Sequence, residues 1–270
     1  MSPMRLAIAA LLLSPSLWAQ AGRPAQPAPA GRPGAFSRAA FNDPANKKPP
    51  FDLTGTWYFG IRNTKSAQFN VSTGGFEFMP LPKLTPAAQA EWDAKEKANR
   101  EGKTYKDDAG ACYPPGMPRF MTRVWPFQII QTPKVIIMIV GLFNRVRWIY
   151  LDGRPHADPE LTELTYNGDS VGHWEGDTLV VETVNLEPGH HWMQQGVPMS
   201  DKLRIAERIR MLDAETFEVQ STFTDPVNWE GEWKTTKRYD LAEDREITEN
   251  HCLPNTNDLI PGAQPGTTVR

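Results

Sequence analysis

Apolar and polar residues alternate with a period of two through most of the chain between Phe51 and Cys252. Successive side chains of a strand point to opposite faces, so this alternation is typical of sheets with one buried face. It predicts strands at Leu53 to Ile61, Phe127 to Thr132, Val135 to Val140, Val146 to Leu151, Leu179 to Leu186, Leu203 to Leu212, Phe217 to Thr224, Trp233 to Tyr239 and Glu246 to Cys252.

The order of these segments predicts a mainly β fold. Strands that follow one another through tight turns form an antiparallel meander, and closing such a sheet removes its exposed edges. We therefore expect a barrel or half-barrel, with a two-sheet sandwich as the alternative. Helical periodicity is clear in one segment, where Thr85 can cap a helix, Pro86 suits its first position and Gly102 can end it. The sequence thus predicts one peripheral helix near 86–100.

The two ends of the chain differ from its middle. Arg5 precedes the eight-residue apolar run Leu6 to Leu13, and Ala19-Gln20-Ala21 fits a cleavage site, so 1–21 is predicted to be a signal peptide. Residues 22–50 hold seven prolines and few large apolar side chains, which predicts a disordered Pro-rich linker. Residues 253–270 predict a flexible tail, and 51–252 a single β domain. We expect a soluble periplasmic or secreted protein without a membrane span.

The chain has two cysteines, Cys112 and Cys252. In an exported protein, two cysteines most simply form one disulfide, which here would close a long loop and hold the end of the folded part. A catalytic thiol is the alternative. No C-x-x-C spacing is present, which weakens a redox or zinc interpretation.

Composition and charge narrow the function classes. The chain has 270 residues, of which 40% are hydrophobic, and a net charge of −3, so it is an ordinary globular sequence without the basic surface of a nucleic-acid binder. It contains no G-x-S-x-G elbow, Walker loop or G-x-G-x-x-G turn, and its histidines show no metal spacing. We therefore expect no cofactor, no metal site and no nucleic-acid partner.

Two carboxylates occupy candidate catalytic positions. Glu207 shares a strand face with Leu203, Ile205, Ile209 and Met211, so it is predicted to project into the interior. A buried carboxylate is costly unless it is paired or protonated, so the alternatives are a structural pair with an arginine and a role inside a cavity. Glu182 lies on the same strand face as Val180 and Val184 and is predicted to be a second inward acid.

Four kinds of side chain complete the candidate site. His156 follows the turn Asp152-Gly153-Arg154-Pro155, a place where functional residues are common, and is the preferred histidine. Surface or structural roles are expected for His173, His190, His191 and His251. The rigid loop that ends in Arg119 can present a guanidinium to an anionic ligand, or plug one end of the barrel. Ligand contacts are predicted for the aromatic residues Trp148, Tyr150 and Trp174.

Two resemblances add to this picture. Asp52-Leu53-Thr54-Gly55-Thr56-Trp57 resembles the Gly-x-Trp first strand of lipocalin-like barrels. Three further motifs together resemble a widespread family of exported, mostly uncharacterised bacterial proteins: Cys112-Tyr113-Pro114-Pro115-Gly116-Met117-Pro118-Arg119, Ile149-Tyr150-Leu151-Asp152-Gly153-Arg154-Pro155-His156 and Gly172-His173-Trp174-Glu175-Gly176-Asp177-Thr178-Leu179-Val180-Val181. Many members carry His-Ser-Asp where this chain has Met199-Ser200-Asp201. The resemblance implies export and a shared architecture, and no particular reaction.

These observations lead to three functional hypotheses. The first is a lipocalin-like barrel that binds a hydrophobic or aromatic small molecule and acts on it as a cofactor-independent lyase, isomerase or hydrolase. Glu207 or Glu182 would then be the base, His156 the acid and Arg119 the anion holder. The second is a carrier with the same cavity and no turnover, and the third is an envelope interaction module with exposed tryptophans.

Overall fold

The computed structural model describes residues 34–59, 69–70, 75–103, 105–106, 108–123, 125–242, 246–250 and 252. The predicted signal peptide, the first part of the predicted linker, the predicted tail and His251 lie outside this part of the chain.

A closed barrel forms the centre of the molecule. The described residues contain the strands β1 (Gly55–Phe59), β2 (Phe69–Asn70), β3 (Gly75–Phe76), β4 (Phe127–Gln131), β5 (Val135–Val140), β6 (Arg145–Tyr150), β7 (Asp169–Glu175), β8 (Thr178–Val184), β9 (Trp192–Gln194), β10 (Val197–Pro198), β11 (Arg204–Asp213), β12 (Thr216–Thr224) and β13 (Trp233–Leu241). Nine of them close in the order β1-β13-β12-β11-β8-β7-β6-β5-β4, with β1 paired to β4. The predicted mainly β barrel is therefore confirmed. The alternative, a two-sheet sandwich, does not describe this closed sheet.

One seam of the barrel departs from the predicted antiparallel meander. Strands β6 and β7 run parallel, with Ile149 opposite Ser170 and Tyr150 opposite Val171. Parallel neighbours need a crossover connection, and residues 151–168 provide it. This crossover carries His156 across the outer surface of the sheet. The predicted strand at Glu246 to Cys252 is also wrong, because residues 246–250 have no strand conformation.

Aromatic rings fill much of the barrel's core. The Trp57 ring lies 4.7 Å from that of Phe217, which in turn stacks on Tyr239 at 4.8 Å. The indole Nε1 of Trp57 donates a hydrogen bond to the Leu53 carbonyl at 2.7 Å. Aromatic pairs of this kind add to the stability that comes from burying their surface.

The predicted peripheral helix is confirmed as α2 (Pro86–Arg100), which begins after Thr85 and ends at Glu101. Its buried residues are Ala88 and Lys95, and it contacts β10. The buried Lys95 ammonium is bonded to Glu77 and Glu96 at 2.9 and 2.8 Å. The helix therefore packs on the small sheet of β9 and β10, and its one buried charge is paired.

Residues 34–50 are the described part of the predicted linker, and they contact the barrel at Phe36. A short helix α1 (Arg38–Phe41) begins after Ser37, whose side chain accepts a hydrogen bond from the Ala40 amide. Ala35 and Ala40 are buried. The Phe36 ring contacts Trp148 edge-on at 5.2 Å, so one aromatic contact anchors a segment whose composition indicated only disorder.

The predicted disulfide joins Cys112 and Cys252, whose Cα atoms are 5.6 Å apart. It links the segment before Arg119 to the end of the described chain. No described helix has the length and apolar character needed to cross a bilayer.

Candidate functional site

Glu207 projects into the barrel, as predicted, and is bound there by Arg147 on β6. Both side chains are 1% exposed. One pair of atoms, Arg147 Nη1 and Glu207 Oε1, is 3.3 Å apart, and Arg147 Nη2 contacts Oε2 more closely. The structural pair that the sequence left open as an alternative is therefore present.

A hydrogen-bond network surrounds this ion pair. Arg147 Nη2 donates to Thr183 Oγ1 at 2.9 Å, and Arg147 Nε donates to Ser170 Oγ at 3.2 Å. Burial raises the pKa of Tyr239 well above its ordinary value, and the charge of Glu207 raises it further. The Tyr239 hydroxyl therefore keeps its proton, which it donates to the Met121 carbonyl. Because Arg147 binds both Glu207 oxygens, we do not assign the predicted role of catalytic base to this carboxylate.

Lys237 also has its side chain buried. Burial lowers its pKa to about 8, opposed by the negative charge of Glu77. Its ammonium donates to the Glu77 carbonyl at 2.7 Å and lies 5.3 Å from the Phe59 ring centroid and 5.6 Å from that of Phe78. The contacts of the Lys237 ammonium are therefore with the protein itself, and we assign this side chain a structural role.

The predicted orientation of Glu182 is wrong. Its side chain is 62% exposed, and the inward residues of β8 are Leu179, Val181 and Thr183. The segment Leu179-Val180-Val181 is apolar on both faces, so the alternation does not identify the inner face. Pairing with β11 decides it, because Val181 lies opposite the inward Glu207.

The predicted ligand contact Trp148 does not point into the barrel. Arg147 points inward, whereas Trp148 is 41% exposed on the outer face. The predicted ligand contact Tyr150 lies under the Arg154 guanidinium at 3.7 Å. Trp174 packs edge-on against Phe51 at 4.9 Å. None of these three aromatic residues is among the described lining residues of the groove described below.

Arg119 lies in a 3-10 helix (Arg119–Thr122) and is buried. Its charge is close to His191, whose pKa falls to about 4, mainly because burial disfavours the charged imidazolium and also because of Arg119. Gly116 packs on the same ring: a Cβ there would lie 2.4 Å from His191 Nε2, and the residue has a φ of +59°. Arg119 is not among the described residues that line the groove beside His156.

The predicted residues His156 and Glu182 meet on the outer face of the sheet, together with Asp169. His156 Nδ1 is 3.1 Å from Asp169 Oδ2, and His156 Nε2 is 3.7 Å from Glu182 Oε2. Asp169 begins β7 and lies opposite Val184 of β8, while Glu182 is two residues away on β8. The crossover from β6 brings the imidazole between the two carboxylates.

Asp169 fixes the orientation of the imidazole. Burial raises the pKa of Asp169, but hydrogen bonds from His156 and the Ala157 amide, with the charges of His156 and Arg154, outweigh it and leave the pKa below its ordinary value. An ionised carboxylate only accepts hydrogen bonds, so the proton of the 3.1 Å contact must be on His156 Nδ1. In the neutral imidazole, Nε2 then carries a lone pair. Nε2 is buried and makes no hydrogen bond with the described residues.

The His156 loop is held by further hydrogen bonds. The Ala157 amide donates to Asp169 Oδ2 at 2.7 Å, and Asn185 Nδ2 donates to the Ala157 carbonyl at 2.8 Å. Gly168 turns the chain into β7 with a φ of +66°, and a Cβ there would lie 2.6 Å from the Val184 carbonyl. A glycine is therefore needed at this close approach.

A groove of about 510 Å³ opens beside this imidazole. Its volume is within the range of small-molecule sites. Ile205 pairs with Thr183, which places Arg204 beside Val184 on the neighbouring strand. The described lining residues are His156, Ala157, Pro159, Leu164, Val184, Asn185, Asp201, Lys202, Leu203 and Arg204.

Three residues of this site were missed from the sequence: Asp169, Asn185 and Arg204. Asp169 follows Asn167-Gly168, a turn signal that indicates the start of a strand, but Gly172 and His173 interrupt the alternation of β7. Asn185 has a φ of +59°, which the side chain of asparagine tolerates better than most. Arg204 lies on the exposed face of its strand, the face opposite to that of Glu207, and no sequence pattern links that face to His156.

The chain matches no protein-family model and no curated protein.

Proposed function

We propose that the protein is an exported small-molecule-binding barrel that acts on its ligand by cofactor-free acid/base chemistry in the groove beside His156. The observation that carries this proposal is the position of His156 in the wall of the groove. Its Nε2 makes no hydrogen bond with a described residue, while Nδ1 is held by an ionised carboxylate. The Cys112–Cys252 disulfide supports an oxidising compartment, and the periplasm or the cell exterior is such a compartment.

The chemistry follows from the two nitrogens of the imidazole. Nε2 takes a proton from a ligand in the groove, or from a water that attacks it. The imidazolium that forms is stabilised by Asp169 through Nδ1–H, the role that a buried aspartate has in other acid/base histidine pairs. Oε2 of Glu182 lies 3.7 Å from Nε2, on the other side of the ring.

The walls of the groove indicate what the ligand needs. Apolar contacts are available from Pro159, Leu164 and Leu203, so part of the ligand is hydrophobic. Arg204 makes no ion pair with a described residue, so its guanidinium can stabilise negative charge on a ligand that has lost a proton. Lys202 is already paired with Asp201 at 3.0 Å. The reaction class is proton abstraction that leads to elimination, isomerisation or hydrolysis.

Replacing His156 with asparagine is expected to reduce turnover at least about 100-fold while ligand binding is kept, because the variant loses the proton acceptor but keeps the groove. Ligands are found by a thermal-shift screen of the purified protein with aromatic acids, phenols and esters. Product formation from each hit is then followed by chromatography with and without a chelator.

His173→Asn is the matched control, since His173 Nε2 also contacts a carboxylate, Glu175, at 3.2 Å but lies on the open surface. The control should keep full activity. Equal activity of His156→Asn and the wild-type protein would contradict the proposal. Binding without product in the wild-type protein would instead support a carrier, the second hypothesis.

A further inference from the structure

A second pocket lies beside Tyr58 of β1. It is covered by the C-terminal segment of residues 246–250, which we call the strap. Its volume is about 360 Å³. The barrel contributes Tyr58 of β1 and the segment before β4, Trp125 and Pro126. Gly141, after β5, lines it without a side chain. The strap contributes Glu246, Ile247, Thr248 and Asn250.

The strap is fixed in place by two kinds of bond. Asn144 Nδ2 donates to the Thr248 carbonyl at 3.0 Å, and the Asn250 amide donates to Asn144 Oδ1. Asn144 has a φ of +47° in the turn between β5 and β6. Two residues after Asn250, the disulfide from Cys252 to Cys112 ties the strap covalently to the rest of the protein. These bonds hold the strap against the barrel, and the strap forms one wall of the pocket.

The chemistry of this pocket is aromatic and acidic. Trp125 is 41% exposed, and Tyr58 lines the pocket beside it. Glu246 is the sole carboxylate or cationic side chain among the described lining residues, and it makes no ion pair with any described residue. Aromatic rings attract cations through the negative face of the π system, and an unpaired carboxylate adds a full charge.

We propose that this pocket binds a compact organic cation, of the quaternary or alkylated ammonium class. An ammonium group with alkyl substituents gains contact with the Trp125 and Tyr58 rings and with Ile247, while its charge is neutralised by Glu246. A neutral ligand of the same shape gains no charge interaction with Glu246, and an anion is repelled by it. Charge and ring chemistry together therefore select the cation.

Choline is the probe, and 3,3-dimethyl-1-butanol, which has the same shape without the charge, is its neutral counterpart. Binding is followed by NMR on protein with 15N-labelled tryptophan, in which the Trp125 indole signal is assigned from Trp125→Phe. Choline should shift the Trp125 signal in a saturable way, and the alcohol should bind at least about fivefold more weakly.

The variants test the two parts of the site separately. Trp125→Ala and Glu246→Gln should each weaken choline binding at least about fivefold, measured by calorimetry. Trp148→Ala is the matched control, because Trp148 has the same exposed fraction, 41%, on the outer face of β6. It should leave choline binding unchanged.

Three results would overturn the proposal: no saturable shift of Trp125 with choline, equal binding of the alcohol, or equal loss in the Trp148 control. Opening the strap with Cys112→Ser and Cys252→Ser should also weaken choline binding, and unchanged binding in that variant would contradict a role for the strap. Among the described residues, none lines both the His156 groove and this pocket, so the two proposals fail independently.

Discussion

Replacing Arg147 with methionine is expected to lower the free energy of unfolding by about 3–5 kcal/mol, because it leaves the Glu207 carboxylate buried without its partner. Both groups are 1% exposed, so water cannot replace the lost interaction. Ser170 and Thr183 lose the guanidinium that binds them at 3.2 and 2.9 Å. Urea unfolding of the wild-type and variant proteins, monitored by tryptophan fluorescence, measures the difference.

Two further variants separate a buried pair from a general effect of losing arginine. Arg147→Met combined with Glu207→Leu removes both charges and should recover most of the lost stability, since apolar residues often replace a buried ion pair at little cost. Arg208→Met breaks the exposed pair with Glu175, whose atoms are 2.8 Å apart, and should cost at most about 1 kcal/mol. Equal small losses for Arg147→Met and Arg208→Met would contradict the buried network.

Removing the disulfide with Cys112→Ala and Cys252→Ala is expected to lower the free energy of unfolding by about 4–5 kcal/mol. The two cysteines are 140 residues apart, and cross-linking so long a loop removes much of the conformational freedom of the unfolded chain. Denaturant unfolding with and without a reducing agent measures this effect. The reducing agent should destabilise the wild-type protein and leave the double variant unchanged. A double variant as stable as the oxidised wild-type protein would disprove the expected contribution.

The barrel could be predicted because its strands have a strong local signal. In β11, Ile205, Glu207 and Ile209 alternate with Ala206 and Arg208, and the pairing with β12 follows from the short turn between them. The parallel seam between β6 and β7 could not be predicted in this way. It depends on the path of residues 151–168, whose composition does not specify where the crossover returns.

Which face of a strand points inward was predictable where one face is polar and not where both faces are apolar or mixed. A shift of one residue exchanges all side chains between the two faces. In β6, Arg147 and Trp148 compete for the interior, and the buried Glu207 favours the arginine. That selection is made by a strand far away in sequence, so no local pattern contains it.

The candidate site was predictable in part. His156 was selected because it follows a turn, and Glu182 because it is a carboxylate within a strand, although the predicted direction of Glu182 was wrong. Their proximity to each other and to Asp169 comes from the crossover, which places a loop residue over the outer face of β7 and β8. The pocket under the strap likewise depends on the fold, which brings residues 246–250 back to Tyr58.

The protonation of the two ring nitrogens of His156 tests the central claim most directly. Long-range 1H–15N correlation spectra of the wild-type protein, recorded where the imidazole is neutral, distinguish the two tautomers, and His156→Asn assigns the signal. We predict the Nδ1–H form, with Nε2 unprotonated and shifted when a ligand enters the groove. Predominance of the Nε2–H form would mean that this nitrogen has no lone pair to accept a proton, and would contradict the account.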